Sequence, residues 1–493
     1  MYPLPPGHSP MILHDSDLTH VQALYDQGLY LQGYEAALAI APLQAWRGPA
    51  GRILAARLAG NLGSARLGGV LYALSHREHP EHQRAMYFGA TAALRRLGPF
   101  ATLKMMNGLG DLCGEDDGQR AEWLSLRAFC YAMLRDFESA DRDIDRALAM
   151  APGRRWLAVQ HSGILELEDR YDQGLEVIEQ CLAENPWYRP AVQSTAHLRQ
   201  LCGRPEDAAA LLTDACDRLE CGDLHIHLAG LYRDQQRIEE ALEQYDHAAA
   251  KYPLLDQVLG DSWLNRIRSD LACQLGDYEQ GLDLLKRIEK RHKGHFHEEV
   301  QARLESTGCS GTHKQLDVPF VRQHHVTCAP ATLTMLARYW GREAEHLGIA
   351  EDICYDGTPY HAERRWAEEQ GYIVREFTLT PDAARGLIDR GVPFTFSTVE
   401  PTNGHLQAVI GYDTARGVLL LRDPFFPSVG EILDGSLVER YGPYGPRAMA
   451  FVPPDRAELL DGLDLPQFGD LDGDGFVGVE DLGILMANWG QPV

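Results

Sequence analysis

Between Ala121 and Pro253 apolar and small residues recur at helical spacing, in blocks that themselves repeat. The segments RDFESADRDIDRALAMAP, RYDQGLEVIEQCLAENP, RPEDAAALLTDAC and RIEEALEQYDHAAAKYP align on Ala140, Gly174, Ala208 and Ala241, at intervals of 34, 34 and 33 residues. DYEQGLDLLKRI adds Gly281 after a longer interval. Twelve residues before the first four lie Ala128, Ser162, Ala196 and Ala229, and seven after them lie Ala147, Cys181, Ala215 and Ala248. Pro152, Pro186 and Pro253 close three of the units. This period predicts pairs of short antiparallel helices that touch at the small residues, each pair hiding its apolar face on the next. LQGYEAALAIAP, ending near Pro42, reads as a weaker second helix of the same kind. Such an array presents a long concave face to a protein partner and rarely supplies catalytic groups.

The pattern changes over KRHKGHFHEEVQARLESTGCSGTHK. His292, His295 and His297 lack carboxylates or cysteines at ligand spacing, so a solvated hinge is the expectation there. From Leu316 to Pro454 an extended LDVPFVRQ precedes a helix starting near Cys328, and HAERRWAEEQG reads as another helix. The runs YIVREFTL, PFTFSTV, LQAVIGY, VLLLRD and AMAFVP follow, a helix packed on a later antiparallel sheet in an α+β arrangement. The expected order is an N-terminal extension (1–19), helical repeats (20–295), a linker (296–315), the α+β domain (316–454) and a tail (455–493).

Charge and cysteine usage narrow the function. Lys and Arg total 46 against 71 Asp and Glu, a net charge of −25 over 493 residues. That balance disfavours tight binding to nucleic acid or to an anionic membrane. No apolar run is long enough to span a bilayer, and MYPLPPGHSPMILHDSD has no basic residue ahead of an apolar stretch. Ten cysteines without repeated short spacing fit neither a disulfide framework nor a zinc cage, so reduced thiols and a cytoplasmic location are expected.

One cysteine stands out by its surroundings. In VPFVRQHHVTCAPATLTMLARYWG, Leu333, Met335, Leu336 and Trp340 form an apolar helix side and Gly341 a stop signal. Thr327 is placed to cap the start, Pro330 suits the first turn, and Cys328 falls at the helix N-terminus. There the helix dipole and free N–H groups favour a thiolate. NGHLQAVIGYDTARGVLLLRDPF reads as a hairpin turning through Asp413–Gly417. A turn near residue 415 sets His405 and Asp423 at one end of that hairpin, opposite or diagonal, with Cβ atoms roughly 5–8 Å apart. A carboxylate so placed can orient an imidazole, which in turn can activate a nucleophile. Gln323, five residues before Cys328, can join the Cys328 backbone N–H in holding an oxyanion.

On these motifs residues 316–454 resemble the papain-like, bacteriocin-processing (double-glycine-leader) cysteine peptidases, and 20–295 the tetratricopeptide repeats. The resemblance implies Cys328 as nucleophile, His405 as base and then acid, Asp423 as its orienter and Gln323 as oxyanion donor, acting without a cofactor on a peptide or protein. The family's usual Cys-Gly-Pro/Ala is Cys328-Ala329-Pro330 here, and Gln323 sits one residue closer to the cysteine than the usual offset. Neither a transmembrane run nor a GxxxxGK[ST] loop accompanies the domain. Two other functions stay open: amide or ester transfer on the same residues, and a non-catalytic interaction scaffold.

The tail, GDLDGDGFVGVEDLGILMANWG, places Asp470, Asp472, Asp474, Gly475, Phe476 and Asp481 at positions 1, 3, 5, 6, 7 and 12 of a calcium loop. Four carboxylates and the Phe476 carbonyl are the expected ligands, and a short helix carrying Leu482, Leu485, Met486 and Trp489 follows. The segment resembles half of a dockerin type I module. Dockerins carry two such loops and this tail has one, so cohesin binding is not implied.

Overall fold

Small residues set how closely helices approach in the computed structural model, which describes residues 9–107, 116–255, 260–400, 403–437, 446–472 and 476–488. Ala140, Gly174, Ala208 and Ala241 lie on the second helices of successive hairpins, Phe137–Met150, Tyr171–Glu184, Pro205–Cys216 and Ile238–Ala250. Ala128, Ser162, Ala196 and Ala229 lie on the first helices, Asp117–Met133, Arg155–Leu167, Arg189–Leu201 and Gly222–Asp234. All eight are buried. A Cβ added to Gly174 would stand 3.2 Å from the Ser162 carbonyl oxygen, so a larger residue there needs the neighbouring backbone to shift. The same device occurs earlier, where the repeat is faint in sequence. A Cβ on Gly68 would stand 2.8 Å from the Ala56 carbonyl oxygen, between helices Pro49–Asn61 and Ala65–Glu78. Helix Tyr30–Ile40 is the weaker helix expected to end near Pro42.

The turn of each hairpin repeats in phase as well. Arg135, Asp169, Gly203 and Gln236 all have positive φ, although only one of them is glycine. Packing between helices therefore imposes the left-handed turn on side chains that resist it.

The chain divides into two compact units, 1–232 with 239–264 and 233–238 with 265–493. In the second, helices Tyr278–Lys286 and His295–Thr307 deliver Leu282, Leu285, Val300 and Leu304 to one core with Val318, Leu333, Leu336, Ala408 and Ile410. The stretch 296–315, expected to be a linker, thus contains most of a helix. Phe296, Val300 and Leu304 give it an apolar side that the surrounding charges obscure in sequence. His297, expected in a solvated hinge, has its Nε2 3.1 Å from Asp270 on helix Gly260–Gln274.

Seven strands, all antiparallel, form the sheet of the second unit among the described residues. They are β1 (His313–Gln315), β2 (Ile373–Thr378), β3 (Phe394–Glu400), β4 (Asn403–Asp413), β5 (Val418–Arg422), β6 (Gly430–Leu433) and β7 (Arg447–Val452). The order is β2–β7–β3–β4–β5–β6, with β1 added on β4. Five of these match the expected runs; β1 and β6 are too short and too polar to read from pattern. The helix Cys328–Tyr339 and its neighbours cover one face, through Leu333, Met335, Leu336, Ile410 and Leu420. Helix Pro381–Asp389 covers the other, through Leu387, Ile388, Phe394, Phe396, Val409 and Leu419.

Two details hold β4, the strand that carries His405. A bulge shifts its register on β5 between Val409 and Gly411, and a Cβ on Gly411 would overlap the Lys314 carbonyl oxygen of β1. Beyond it, the fully buried Arg416 pairs with Asp413 and Glu431, and the Tyr278 hydroxyl donates to Asp413 at 3.1 Å. The turn end of the hairpin is thereby fastened to helix Tyr278–Lys286.

Candidate active site

The site is built where β4 outruns its neighbour. The β4–β5 ladder ends at the pair Ala408–Arg422, whereas β4 starts at Asn403. Leu406, beyond that end, turns its backbone to the helix Cys328–Tyr339 instead. Its carbonyl accepts from the Thr332 hydroxyl at 3.0 Å, and its N–H is among the groups that lower the Cys328 thiol. A single strand residue therefore holds the helix one turn after the cysteine.

His405 is next to Leu406 and pairs with Thr398 of β3, whose hydroxyl donates to the His405 carbonyl at 3.3 Å. Asp423 follows Arg422 at the end of β5, diagonally across the hairpin end. The His405 Nε2 lies 3.1 Å from both Asp423 carboxylate oxygens. The same carboxylate accepts the Phe425 N–H at 2.7 Å, which locks the Asp-Pro-Phe turn. With Nε2 engaged by Asp423, the other ring nitrogen is left for the Cys328 thiol, whose charge helps raise His405.

The electrostatics follow from these contacts. Burial raises the Cys328 thiol, but the His405 hydrogen bond and charge, with the N–H groups of Leu406 and Ala329, more than reverse this and bring it below its ordinary value. Burial also opposes a charged His405; its hydrogen bonds to Asp423 and Cys328, and their negative charges, win and raise it to about 9. A lowered thiol beside a raised imidazole is the direction that favours a thiolate and imidazolium pair.

Gln323 is anchored through its main chain, its N–H donating to the Pro424 carbonyl at 2.9 Å. The loop before Cys328 and the turn after Asp423 are thereby tied together. The Gln323 Oε1 is buried with no hydrogen-bond partner. Half a turn of the amide exchanges that oxygen for the NH2 donor an oxyanion needs.

Thr327 departs from the expected role. It occupies the N-cap position but makes no capping hydrogen bond. Its hydroxyl accepts the His324 N–H at 2.8 Å and lies 2.9 Å from His346 Nε2. Thr332 and His346 escaped the sequence reading because a threonine inside a helix and a lone histidine carry no spacing signal. Exposed apolar side chains flank these residues in sequence: Val326 before Cys328, Phe425 and Phe426 after Asp423.

In the tail, carboxylate oxygens of Asp470, Asp472 and Asp481 lie within 4.8 Å of one another, a donor set that suits a hard cation. Asp481 also receives the N–H groups of Gly478, Leu471 and Asp472, which hold its carboxyl below the usual range. Asp474, Gly475 and Trp489 lie outside the described residues, and the Phe476 ring is exposed. The helix expected after the loop spans Val479–Asn488.

No helix among the described residues is long and apolar enough to cross a membrane. No curated protein matches the chain. Among solved structures, PilF of Pseudomonas aeruginosa is 13% identical, over 46% of this chain and 99% of its own, with a TM-score of 0.33. A tetratricopeptide repeat protein from Parabacteroides merdae is 16% identical, over 49% of this chain and 96% of its own, with a TM-score of 0.32. The peptidase domain of Streptococcus ComA, a bi-functional ABC transporter involved in quorum sensing, is 17% identical, over 29% of this chain and 99% of its own, with a TM-score of 0.23. Residues 315–446, which hold Gln323, Cys328, His405 and Asp423, match the Peptidase_C39 like family.

Proposed function

We propose that the second unit is a cysteine peptidase and that the helical array recruits its protein substrate or a regulator. The observation that carries this reading is the position of His405, hydrogen-bonded to Asp423 and raised together with a lowered Cys328 thiol. A carboxylate, an imidazole and a low-pKa thiol in one line are the parts of an acyl-enzyme mechanism.

In that mechanism the Cys328 thiolate attacks the carbonyl carbon of the scissile peptide. The oxygen takes up the charge and is held by the Cys328 N–H and the Gln323 amide. Collapse of the tetrahedral intermediate breaks the C–N bond, and the His405 imidazolium gives its proton to the leaving amine. Neutral His405 then takes a proton from water, the hydroxide attacks the thioester, and the carboxylic acid leaves as the thiolate is restored. Asp423 keeps the ring in its tautomer and steadies its positive charge throughout. The tail stands apart from this chemistry: Asp470, Asp472 and Asp481, with Asp474, would hold calcium as a structural ion.

The test compares the full chain with Cys328→Ala. Labelling by iodoacetamide at neutral pH, followed site by site by mass spectrometry, is expected to be fastest at Cys328, and a peptide library is expected to be cleaved by the wild type alone. Acyl transfer to an added amine without cleavage would turn the reading to a transferase. Labelling of Cys328 no faster than that of the other cysteines would leave a non-catalytic scaffold.

A further inference from the structure

We infer that His346 is a positioning residue that holds the Thr327 hydroxyl away from the first turn of the nucleophile helix, keeping the Ala329 N–H for the Cys328 sulfur. This rests on the peptidase reading and adds to it a residue far from Cys328 in sequence.

The argument begins with a competition for one donor. A threonine at an N-cap normally accepts a hydrogen bond from the N–H of the second or third helical residue. Here the second is Ala329 and the third is Pro330, which has no N–H. Ala329 is therefore the only donor available for capping, and its N–H is also one of the groups that lower the Cys328 thiol. If the Thr327 hydroxyl took it, the thiolate would lose one of its stabilising contacts. Instead the hydroxyl is held elsewhere, by the His324 N–H and by His346 Nε2.

His346 is built to stay in place. It is 6% exposed, and it opens helix His346–Ile353, whose N-cap Glu345 receives the Leu347 and Gly348 N–H groups. Arg338, on the nucleophile helix itself, donates from Nε and Nη2 to the Ala344 carbonyl, drawing the connecting loop back toward that helix. The His324 ring stands 5.1 Å from the His346 ring. Burial and the charges of His324 and Arg338, opposed by Glu345, push His346 below its ordinary value. A neutral ring leaves Nε2 able to accept the hydroxyl proton, which satisfies both groups.

The turn it stabilises is not one the chain would choose. Val326, between His324 and Thr327, has φ 54, a left-handed conformation that a β-branched residue resists. Its carbonyl accepts a hydrogen bond from the Cys354 thiol at 3.3 Å. Side-chain contacts hold this turn, so removing one gives it room to relax.

The experiment reads the Cys328 thiol directly, as the pH dependence of iodoacetamide labelling of the Cys328 peptide in the full chain. With His346→Leu the apparent thiol pKa is expected to rise by about one unit, making labelling about tenfold slower on the acid side of the profile. His346→Gln, whose amide oxygen can replace Nε2 as acceptor, should stay near wild type. Adding Thr327→Val to His346→Leu removes the competing hydroxyl and should bring the thiol back toward wild type, a rescue that general loosening would not give. If His346→Leu does not fold, His346→Asn, too short to reach the hydroxyl, makes the same test. An unshifted thiol in the folded Leu or Asn variant, or no rescue in the double variant, overturns the inference. An ordinary thiol pKa in the wild type would instead sink the peptidase reading on which it rests.

Discussion

The helical array and the sheet unit use sequence in opposite ways. In the array the contacts between helices are mostly local, as where Gly174 meets Ser162 and Gly68 meets Ala56, although Glu220 reaches back to the N–H groups of Leu31 and Gln32. In the sheet unit the important contacts join distant parts of the chain, Cys328 and Thr332 to Leu406, His405 to Asp423, Gln323 to Pro424. A local device can be copied along the chain and tolerates drift in any one copy. A site assembled from afar has no such redundancy, and its sensitivity should be concentrated in a few residues.

The sharpest way to test that contrast is to remove His405. His405→Ala is expected to lower peptidase kcat/KM by about 10²–10⁴-fold and to raise the Cys328 thiol, while circular dichroism shows the helices intact. Equal loss of helix content would show that the two regions are not separable in this way.

Asp423→Asn comes next, with an expected loss of about 10²-fold and a change in the pH profile. The active ion pair exists above the lowered Cys328 pKa and below the His405 value of about 9, so activity should rise through the first and fall through the second. Without the carboxylate charge the alkaline limb should move down toward the ordinary imidazole range. A limb that stays near pH 9 would remove Asp423 from its role.

Two stability measurements probe the regions separately. Thr332→Val leaves the Leu406 carbonyl without its donor and should cost about 1–3 kcal/mol in denaturant unfolding of the sheet unit, with slower Cys328 labelling. Gly174→Val forces a side chain against the Ser162 carbonyl and should cost about 1–3 kcal/mol in the array, with Cys328 labelling unchanged. Altered labelling in Gly174→Val would break the contrast.

The smallest effect belongs to the tail. Calcium up to about millimolar should change tryptophan fluorescence and raise the heat-unfolding midpoint slightly, both effects being lost in Asp472→Asn. Silence in both assays would remove the ion from the tail.

Legibility followed the same divide. The repeat phase, the helix from Cys328 and the five longer strands could be read because small residues at a fixed period, an apolar helix side and β-branched runs are local signals. Even the diagonal placement of His405 and Asp423 needed only a turn position and two strand lengths. The helix His295–Thr307 was hidden because three apolar residues among charges are a weak pattern, made strong by a core lying elsewhere in the chain. Thr327 was misjudged for a related reason: a local rule makes it a cap, and a distant histidine takes its hydroxyl away.

The sequence alone determined the order of parts, the helical period and which side chains have the chemistry for a thiol mechanism, since these depend on residue type and spacing. Tertiary structure decided which of those groups share hydrogen bonds, how the Cys328 and His405 pKa values move, and where the Thr327 hydroxyl points. Those outcomes depend on burial and on distances between atoms far apart in the chain, and spacing along a sequence carries neither.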